Sequence, residues 1–354
     1  MQSKVKRISF KNQNIYIGLD THLKSWKATI LMDRLEHKTF VLDPKAEVLS
    51  KYLHKHFPDG NYFSAYEASY SGFCIHRSLE SAGIKNIVVN PADIPTSDKD
   101  KKQKEDKRDS RKIARLLRGN ILEGIYIPSE KMQEIRMLVR YRRHLAKEIG
   151  KNKNRVKSLL YFMGTVIPSD LDSASRHWSG KFTNWLRTVE FKTEQGKTVL
   201  KKIIETTEYL RSNLLEINRV IRQLSKDGKY SKILNCLMSI PGIGIVTAVT
   251  ILTEIEDINR FKRDDQLCSF VGIIPTMHSS GEKEITGGIT SRSNKFLRHM
   301  IIEASWIAAR RDPSLALNFH EYCKRMKKNQ AIIRIAKKLV KRIKYVMKNE
   351  KQYV

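Results

Sequence analysis

Between residues 129 and 163 the sequence has almost no turn-forming residue, while Met132, Ile135, Leu138, Val139, Leu145, Ile149, Val156, Leu159 and Leu160 recur every three to four positions. That spacing places apolar side chains along one stripe of a single long helix. The patterns before and after it differ, so the chain is organised in parts around this helix. Its 354 residues suffice for two or three compact units.

The part before the helix reads as mixed α/β. NIYIGL at 14–19, WKATILM at 26–32 and KTFVLD at 38–43 are rich in β-branched and aromatic residues and predict three consecutive strands. Leu49, Leu53 and Phe57 predict a helix, YFSAYE at 62–67 a fourth strand, residues 71–82 a second helix and KNIVVN at 85–90 a fifth strand. A polar stretch then leads into a helix carrying Ile113, Leu116 and Leu117. Meandering strands followed by crossover helices imply a mixed sheet covered by helices, the arrangement of the RNase H-like fold.

On that arrangement Asp20 ends the first strand and Glu67 the fourth, and these strands are neighbours. Asp106 and Asp109, at i and i+3, start the later helix and share one face. Four carboxylates converging on one point repel unless neutralised, and hard oxygen ligands suit Mg²⁺ or Mn²⁺. A pair of such ions activates a nucleophile and stabilises the leaving oxygen in phosphodiester cleavage. The alternative is that Asp106 and Asp109 are solvated acids favouring the positive end of a helix dipole.

Lys and Arg number 67 against 37 Asp and Glu, a formal net charge of +30, which implies a polyanionic partner, nucleic acid first. With 40% hydrophobic residues the chain has material for real cores. Residues 99–118 hold ten bases against four acids, and 136–157 nine against one. These runs give a candidate phosphate track that includes Lys104, Arg108, Arg140, Arg142, Arg143, Lys151, Lys153 and Arg155, although charge runs are also ordinary solvated faces. The four cysteines are scattered without CxxC or finger spacing, which argues against zinc fingers and disulfides and suits a reducing cytoplasm. No signal core and no membrane-length apolar run is present, so no membrane partner is expected.

Residues 164–197 read as polar and irregular, and 198–225 as a second long helix, so that two antiparallel helices would form a coiled-coil-like stalk. The expected division is 1–125, 126–228 and 229–354. In the last part, SIPGIGIVTA at 239–248 resembles a helix-hairpin-helix, whose Gly242 and Gly244 would let backbone N–H groups approach a phosphate. An ordinary turn between packed helices is the alternative. Further on, Ser279 and Ser280 stand beside Gly281 in an expected glycine-rich loop, followed by the bases Arg292, Lys295 and Arg298. A serine hydroxyl near cations can attack phosphorus, but by residue chemistry alone these are turn serines. The sequence ends in a basic amphipathic helix, IRIAKKLVKRIKYVMK.

Five segments, GLDTH at 18–22, YEASYSG at 66–72, KEDKRDSRKIARLL at 104–117, SIPGIG and SSGEKEITGGITSRSNKFLR at 279–298, together resemble the DEDD transposases of insertion-sequence family 110, relatives of the Piv-type DNA invertases. The resemblance implies a RuvC-like (RNase H-like) N-terminal domain, a coiled-coil middle and a helical C-terminal transposase domain. It implies that Asp20, Glu67, Asp106 and Asp109 bind Mg²⁺ and that Ser280 attacks DNA, with the adjacent Ser279 as rival. It also implies donor and target DNA as substrates, an element-encoded guide (bridge) RNA, and a homo-oligomer, dimer or tetramer. Glu105 and Glu282 depart from the family's usual residues. A RuvC-type structure-specific endonuclease, needing the acids but no serine, and a non-catalytic nucleic-acid-binding protein are the competing functions.

Overall fold

The computed structural model describes residues 9–33, 35–95, 106–173, 177–280 and 283–353. Lys104 lies outside them, as do the side chains of Asp106, Arg108, Ser279 and Ser280. The chain divides into two compact units, Met1–Ile127 and Pro128–Val354.

The first unit is built on a five-stranded sheet of β1 (Asn14–Thr21), β2 (Trp26–Leu31), β3 (Glu36–Leu42), β4 (Asn61–Glu67) and β5 (Lys85–Val89), in the order β3-β2-β1-β4-β5. The β1–β2 and β2–β3 pairs are antiparallel, β1–β4 and β4–β5 parallel. The expected order of strands and helices, and the adjacency of the first and fourth strands, are therefore observed. Successive side chains of a strand point to opposite faces. Ile15, Ile17 and Leu19 of β1 and Trp26, Ala28 and Ile30 of β2 form one buried face with Leu49 and Leu53 of α1 (Ala46–His56) and Leu79 of α2 (Cys74–Ser81). The other face is small: Ala65, Val89 and Ile94 pack with Ile113 of α3 (Asp106–Arg118).

Gly18 is what lets α3 lie on that second face. A Cβ there would stand 3.0 Å from Ala114 Cα and closer still to Ser110 O and Ala114 N, all backbone atoms of the helix. Thr29, the β2 neighbour of Gly18, bonds the Ser110 hydroxyl at 2.9 Å and the Thr39 hydroxyl at 2.9 Å. The buried Thr29–Ser110 bond ties the helix to β2, and the Thr39 bond ties β2 to β3.

In the second unit α4 (Glu130–Phe162) starts at the Ser129 cap and runs 33 residues, about 50 Å. After α5 (Gly180–Thr188), α6 (Glu194–Gln223) returns antiparallel: Arg142 bonds Asn218 at 2.8 Å near one end, and Val156 and Leu160 meet Leu200 and Ile204 near the other. Helix α5 lies where the sequence reads as irregular. Ser179 caps it, and Phe182 and Leu186 are buried between the long helices with Trp178 and Trp185 against them. Two apolar cores result. One sits among α4, α5 and α6, while Met132, Val139 and Ile221, from the opposite ends of the long helices, belong to the core of the C-terminal helices.

Those helices are α7 (Gly228–Met238), α8 (Ile245–Ile255), α9 (Asp264–Val271), α10 (Lys295–Arg311), α11 (Pro313–Arg325) and α12 (Lys328–Asn349). The apolar stripe of the basic α12, including Ile332, Ile335, Leu339 and Ile343, is buried in this core. Where a glycine-rich loop is expected, the chain instead forms an antiparallel hairpin of β6 (Pro275–Ser280) and β7 (Lys283–Ile289). Gly287 and Gly288 weaken the strand signal in the sequence. Gly287 nevertheless has a packing reason, since a Cβ there would run into Thr276 Oγ1.

Candidate active site

Register brings the acids together. Leu19 pairs with Tyr66 across the parallel β1–β4 ladder, so Asp20 and Glu67 follow side by side at the C-terminal ends of their strands. They alternate with the buried Leu19 and Tyr66 and therefore share the face of Gly18 and Ala65, the face under α3. Asp109 immediately precedes Ser110, whose backbone rests on Gly18. Asp20, Glu67 and Asp109 line one cleft of about 270 Å³. Of the four acids that the sequence is expected to bring together, these three border the same cleft.

The loop after β4 completes the cleft. Ser69 and Tyr70 line it, Tyr70 donates to Thr21 O at 3.3 Å, and the Thr21 and Ser71 hydroxyls are 3.2 Å apart. Beneath the loop, Tyr66 donates to Gly72 O at 2.9 Å and accepts from His76 N at 3.2 Å. Burial pushes its phenol up to about 12, so it stays a donor and holds the loop at any working pH. His22 is a cleft residue to which sequence reasoning assigned no role, although it closes the GLDTH segment. Its Nε2 lies 3.2 Å from Asp20 Oδ2.

Carboxylate oxygens facing a polar cleft are the donor set that hard divalent cations take. Among the described residues no three His, Cys, Asp or Glu side chains are gathered closely enough to hold an ion by themselves. The Asp106 side chain, one turn before Asp109 on α3, lies outside that description.

Ser280 is the last residue of β6, paired with Lys283 of β7, and Ser279 pairs with Glu284, so both serines adjoin the hairpin tip. The hairpin's return to α10 is well anchored: Arg298 donates to Thr290 O at 2.9 Å and to Ser293, and Asn294 caps α10 at Leu297 N. Lys295 opens α10, and Arg292 lies just before it.

Several bases of the expected phosphate track have intramolecular bonds. Arg140 makes a two-pronged pair with Glu254 at 2.9 and 3.0 Å, Arg142 bonds Asn218, and Arg143 stacks on Phe296 at 4.9 Å. Lys151 pairs with Glu148, Lys153 lies over Trp178, where burial lowers its ammonium below the ordinary value, and Arg155 bonds Asn152. In the SIPGIG turn Gly242 has φ +92°, and a Cβ would sit 3.0 Å from Ala308 N and closer to Ala304 O. Its bareness thus serves helix packing. A Cβ on Gly244, at the start of α8, would meet nothing within 4 Å.

Residues 17–164 match the family model of the IS110-type DEDD transposase, and residues 234–321 that of the transposase IS116/IS110/IS902 family. The Sinorhizobium fredii protein y4qE is 27% identical over 260 residues, covering 73% of this chain and 60% of that protein. The transposase for insertion sequence element IS1533 of Leptospira borgpetersenii is 25% identical over 250 residues, 69% of this chain and 70% of its own length. The transposase for IS1111A of Coxiella burnetii is 25% identical over 234 residues, 65% of this chain and 61% of its own length. The carboxylate cleft falls within the first matched segment and the serine hairpin within the second; the chain belongs to the IS110 family of transposases.

Proposed function

We propose that the chain cuts and rejoins the DNA of an insertion sequence, with an RNase H-like, RuvC-type metal domain in the first unit and a serine nucleophile in the second. The observation that carries this reading is the convergence of Asp20, Glu67 and Asp109 on one cleft at the strand ends of a β3-β2-β1-β4-β5 sheet. With Asp106 these residues would hold a divalent cation, Mg²⁺ or Mn²⁺, which when bound neutralises charge on a scissile phosphate. The protein's own part is to keep the carboxylates in register, through the β1–β4 ladder and the seat of α3 on Gly18.

In the proposed reaction the Ser280 hydroxyl attacks phosphorus. An Oγ–P bond forms as a P–O bond of the strand breaks, and the strand leaves as a free hydroxyl after taking up the proton. Rejoining is the reverse, with a strand hydroxyl displacing serine. The net charge of +30 supports a polyanionic substrate. Donor and target DNA, a guide RNA, assembly as a homo-oligomer, and the division of the second unit into a stalk (to residue 228) and a C-terminal domain belong to the same reading, supported by family membership.

Cleavage products resolved on a denaturing gel after protease digestion test it. Wild-type protein with Mg²⁺ and nucleic acid copurified with the chain should yield protein-linked DNA. Ser280→Ala should bind DNA and form no adduct, Ser279→Ala should still form it, and Asp20→Ala, Glu67→Gln or Asp109→Ala should lose cleavage while keeping DNA binding. Free ends from wild type would indicate a RuvC-type endonuclease instead, and adduct from Ser280→Ala would remove that serine from the mechanism.

A further inference from the structure

An apolar pocket of about 600 Å³ opens in the second unit at the foot of the serine hairpin. Pro275 and Gly288 of the hairpin, Ile302 and Trp306 of α10 and Ile333 of α12 supply its walls. Its size lies within the roughly 300–1,000 Å³ of small-ligand sites. Two features set it apart from an ordinary gap between helices. Asn329 and Gln330, at the start of α12, line it with carboxamides, and the Gln330 oxygen already accepts from Lys327 N, which leaves its NH₂ as a donor. Arg334 and Lys337, one helical turn apart, line it as well, and no carboxylate pairs with either among the described residues.

We infer that this pocket takes one unstacked base of a single-stranded nucleic acid, with Arg334 and Lys337 meeting the adjoining phosphates. Each part of the lining answers one part of a nucleotide. Bases stack on aromatic rings irrespective of sequence, carboxamides pair with base edges, and cations without partners attract the backbone. Trp306 is held for this by an edge-on contact with Phe319, ring centroids 5.7 Å apart. A purely apolar partner side chain would gain nothing from the two cations. The pocket also adjoins the strands that carry Ser280, where a strand opened for cutting exposes unpaired bases. The inference rests on the proposed reading of the chain as a nucleic-acid enzyme.

Fluorescence anisotropy on the full chain tests it, with four labelled probes: a single-stranded DNA oligonucleotide, its RNA counterpart, the same DNA strand with abasic sites throughout, and the DNA duplex. Wild type should bind a base-bearing strand more tightly than the abasic one. Trp306→Leu should weaken the base-bearing strand roughly tenfold and leave the abasic strand and duplex unchanged. Ile333→Phe, which fills the pocket, should do the same, and it stands in if Trp306→Leu lowers the thermal midpoint. Whichever of DNA and RNA shows the larger ratio over the abasic strand is the source of the base. Equal wild-type affinity for base-bearing and abasic strands overturns the inference, as does equal weakening of every probe by both variants. Failure of wild type to bind any probe, the duplex included, sinks the nucleic-acid reading itself.

Discussion

Replacing Gly18 by alanine puts a methyl group where α3 rests on β1. Its Cβ would be 3.0 Å from Ala114 Cα and nearer to two further backbone atoms. Comfortable carbon contacts lie at about 3.5–4.0 Å, so the helix must retreat by roughly 1 Å. No side-chain rotation relieves the clash, because the three nearest atoms all belong to the helix backbone. Overpacking of this kind costs about 1–3 kcal/mol. The larger consequence is for the cleft: Ser110 is one of the crowded residues and Asp109 precedes it, so one carboxylate is carried away from Asp20 and Glu67. A displacement near 1 Å costs on the order of 100-fold in rate. The assay pairs urea unfolding with DNA cleavage under single-turnover conditions. Gly18→Ala should lose about 1–3 kcal/mol yet remain folded at low urea, bind DNA like wild type, and cleave about 100-fold more slowly. Wild-type cleavage in a folded Gly18→Ala protein would refute the idea that the seat of α3 sets the site.

Three further perturbations probe the same packing logic. Ser110→Ala removes one of the two hydroxyl bonds of the buried Thr29 and should cost about 1 kcal/mol in urea unfolding; no loss would mean the bond is idle. Glu254→Ala should cost about 1–3 kcal/mol, because its carboxylate, 2% exposed, accepts from Arg140 at 2.9 and 3.0 Å and from Asn294 at 2.7 Å, while Arg136 keeps its bonds to Thr253 O; a loss below about 0.5 kcal/mol, near the value of a surface pair, would contradict this. Asp312 titrates from a favourable site: burial alone would raise its carboxyl, but bonds from Leu315 N–H, Arg342 and Tyr353 outweigh it and hold the group below its ordinary 3.8. A depressed folded value means the stability is present above pH 3.8 and is lost as pH falls through the folded value. Urea midpoints at pH 6 and pH 3 should therefore differ less in Asp312→Asn than in wild type, and equal acid sensitivity would remove Asp312 from the account.

What the sequence revealed and what it hid have physical reasons. The strands of the first unit show themselves because each is a run rich in β-branched and aromatic residues, buried on one face in β1 through Ile15, Ile17 and Leu19, whereas the edge strand β3 buries only Leu42. The long helices show themselves by uninterrupted periodicity. Asp20 and Glu67 were legible because a strand order places them, whereas His22 and Tyr70 join the cleft through loop bonds that no spacing encodes. Helix α5 went unread since nine residues between polar stretches carry too little pattern, and its order comes from Phe182 entering a core built by distant helices. The serine hairpin was masked by two adjacent glycines. Charge was the least legible feature: the run from 136 to 157 looks uniform, but Arg136 donates to Thr253 O and Arg140 to the buried Glu254, both more than 110 residues away, and Glu254 also accepts from Asn294 at 2.7 Å.

Glycine shows the same limit in a single residue type. In the sequence, Gly18 is merely one of the residues of a strand and Gly242 part of a turn read as a phosphate approach. In the fold both are places where a helix backbone comes too close for any side chain, α3 over Gly18 and α10 over Gly242. Gly242 also adopts φ +92°, which L-residues with side chains rarely do. Its surroundings are thus filled by protein, and the free approach that a phosphate would need exists instead at Gly244, where α8 begins in open space. A close-approach glycine therefore speaks for a ligand only where the structure leaves room beside it. By that criterion the two glycines of one motif divide, the first holding the C-terminal helices together and the second left exposed at a helix start.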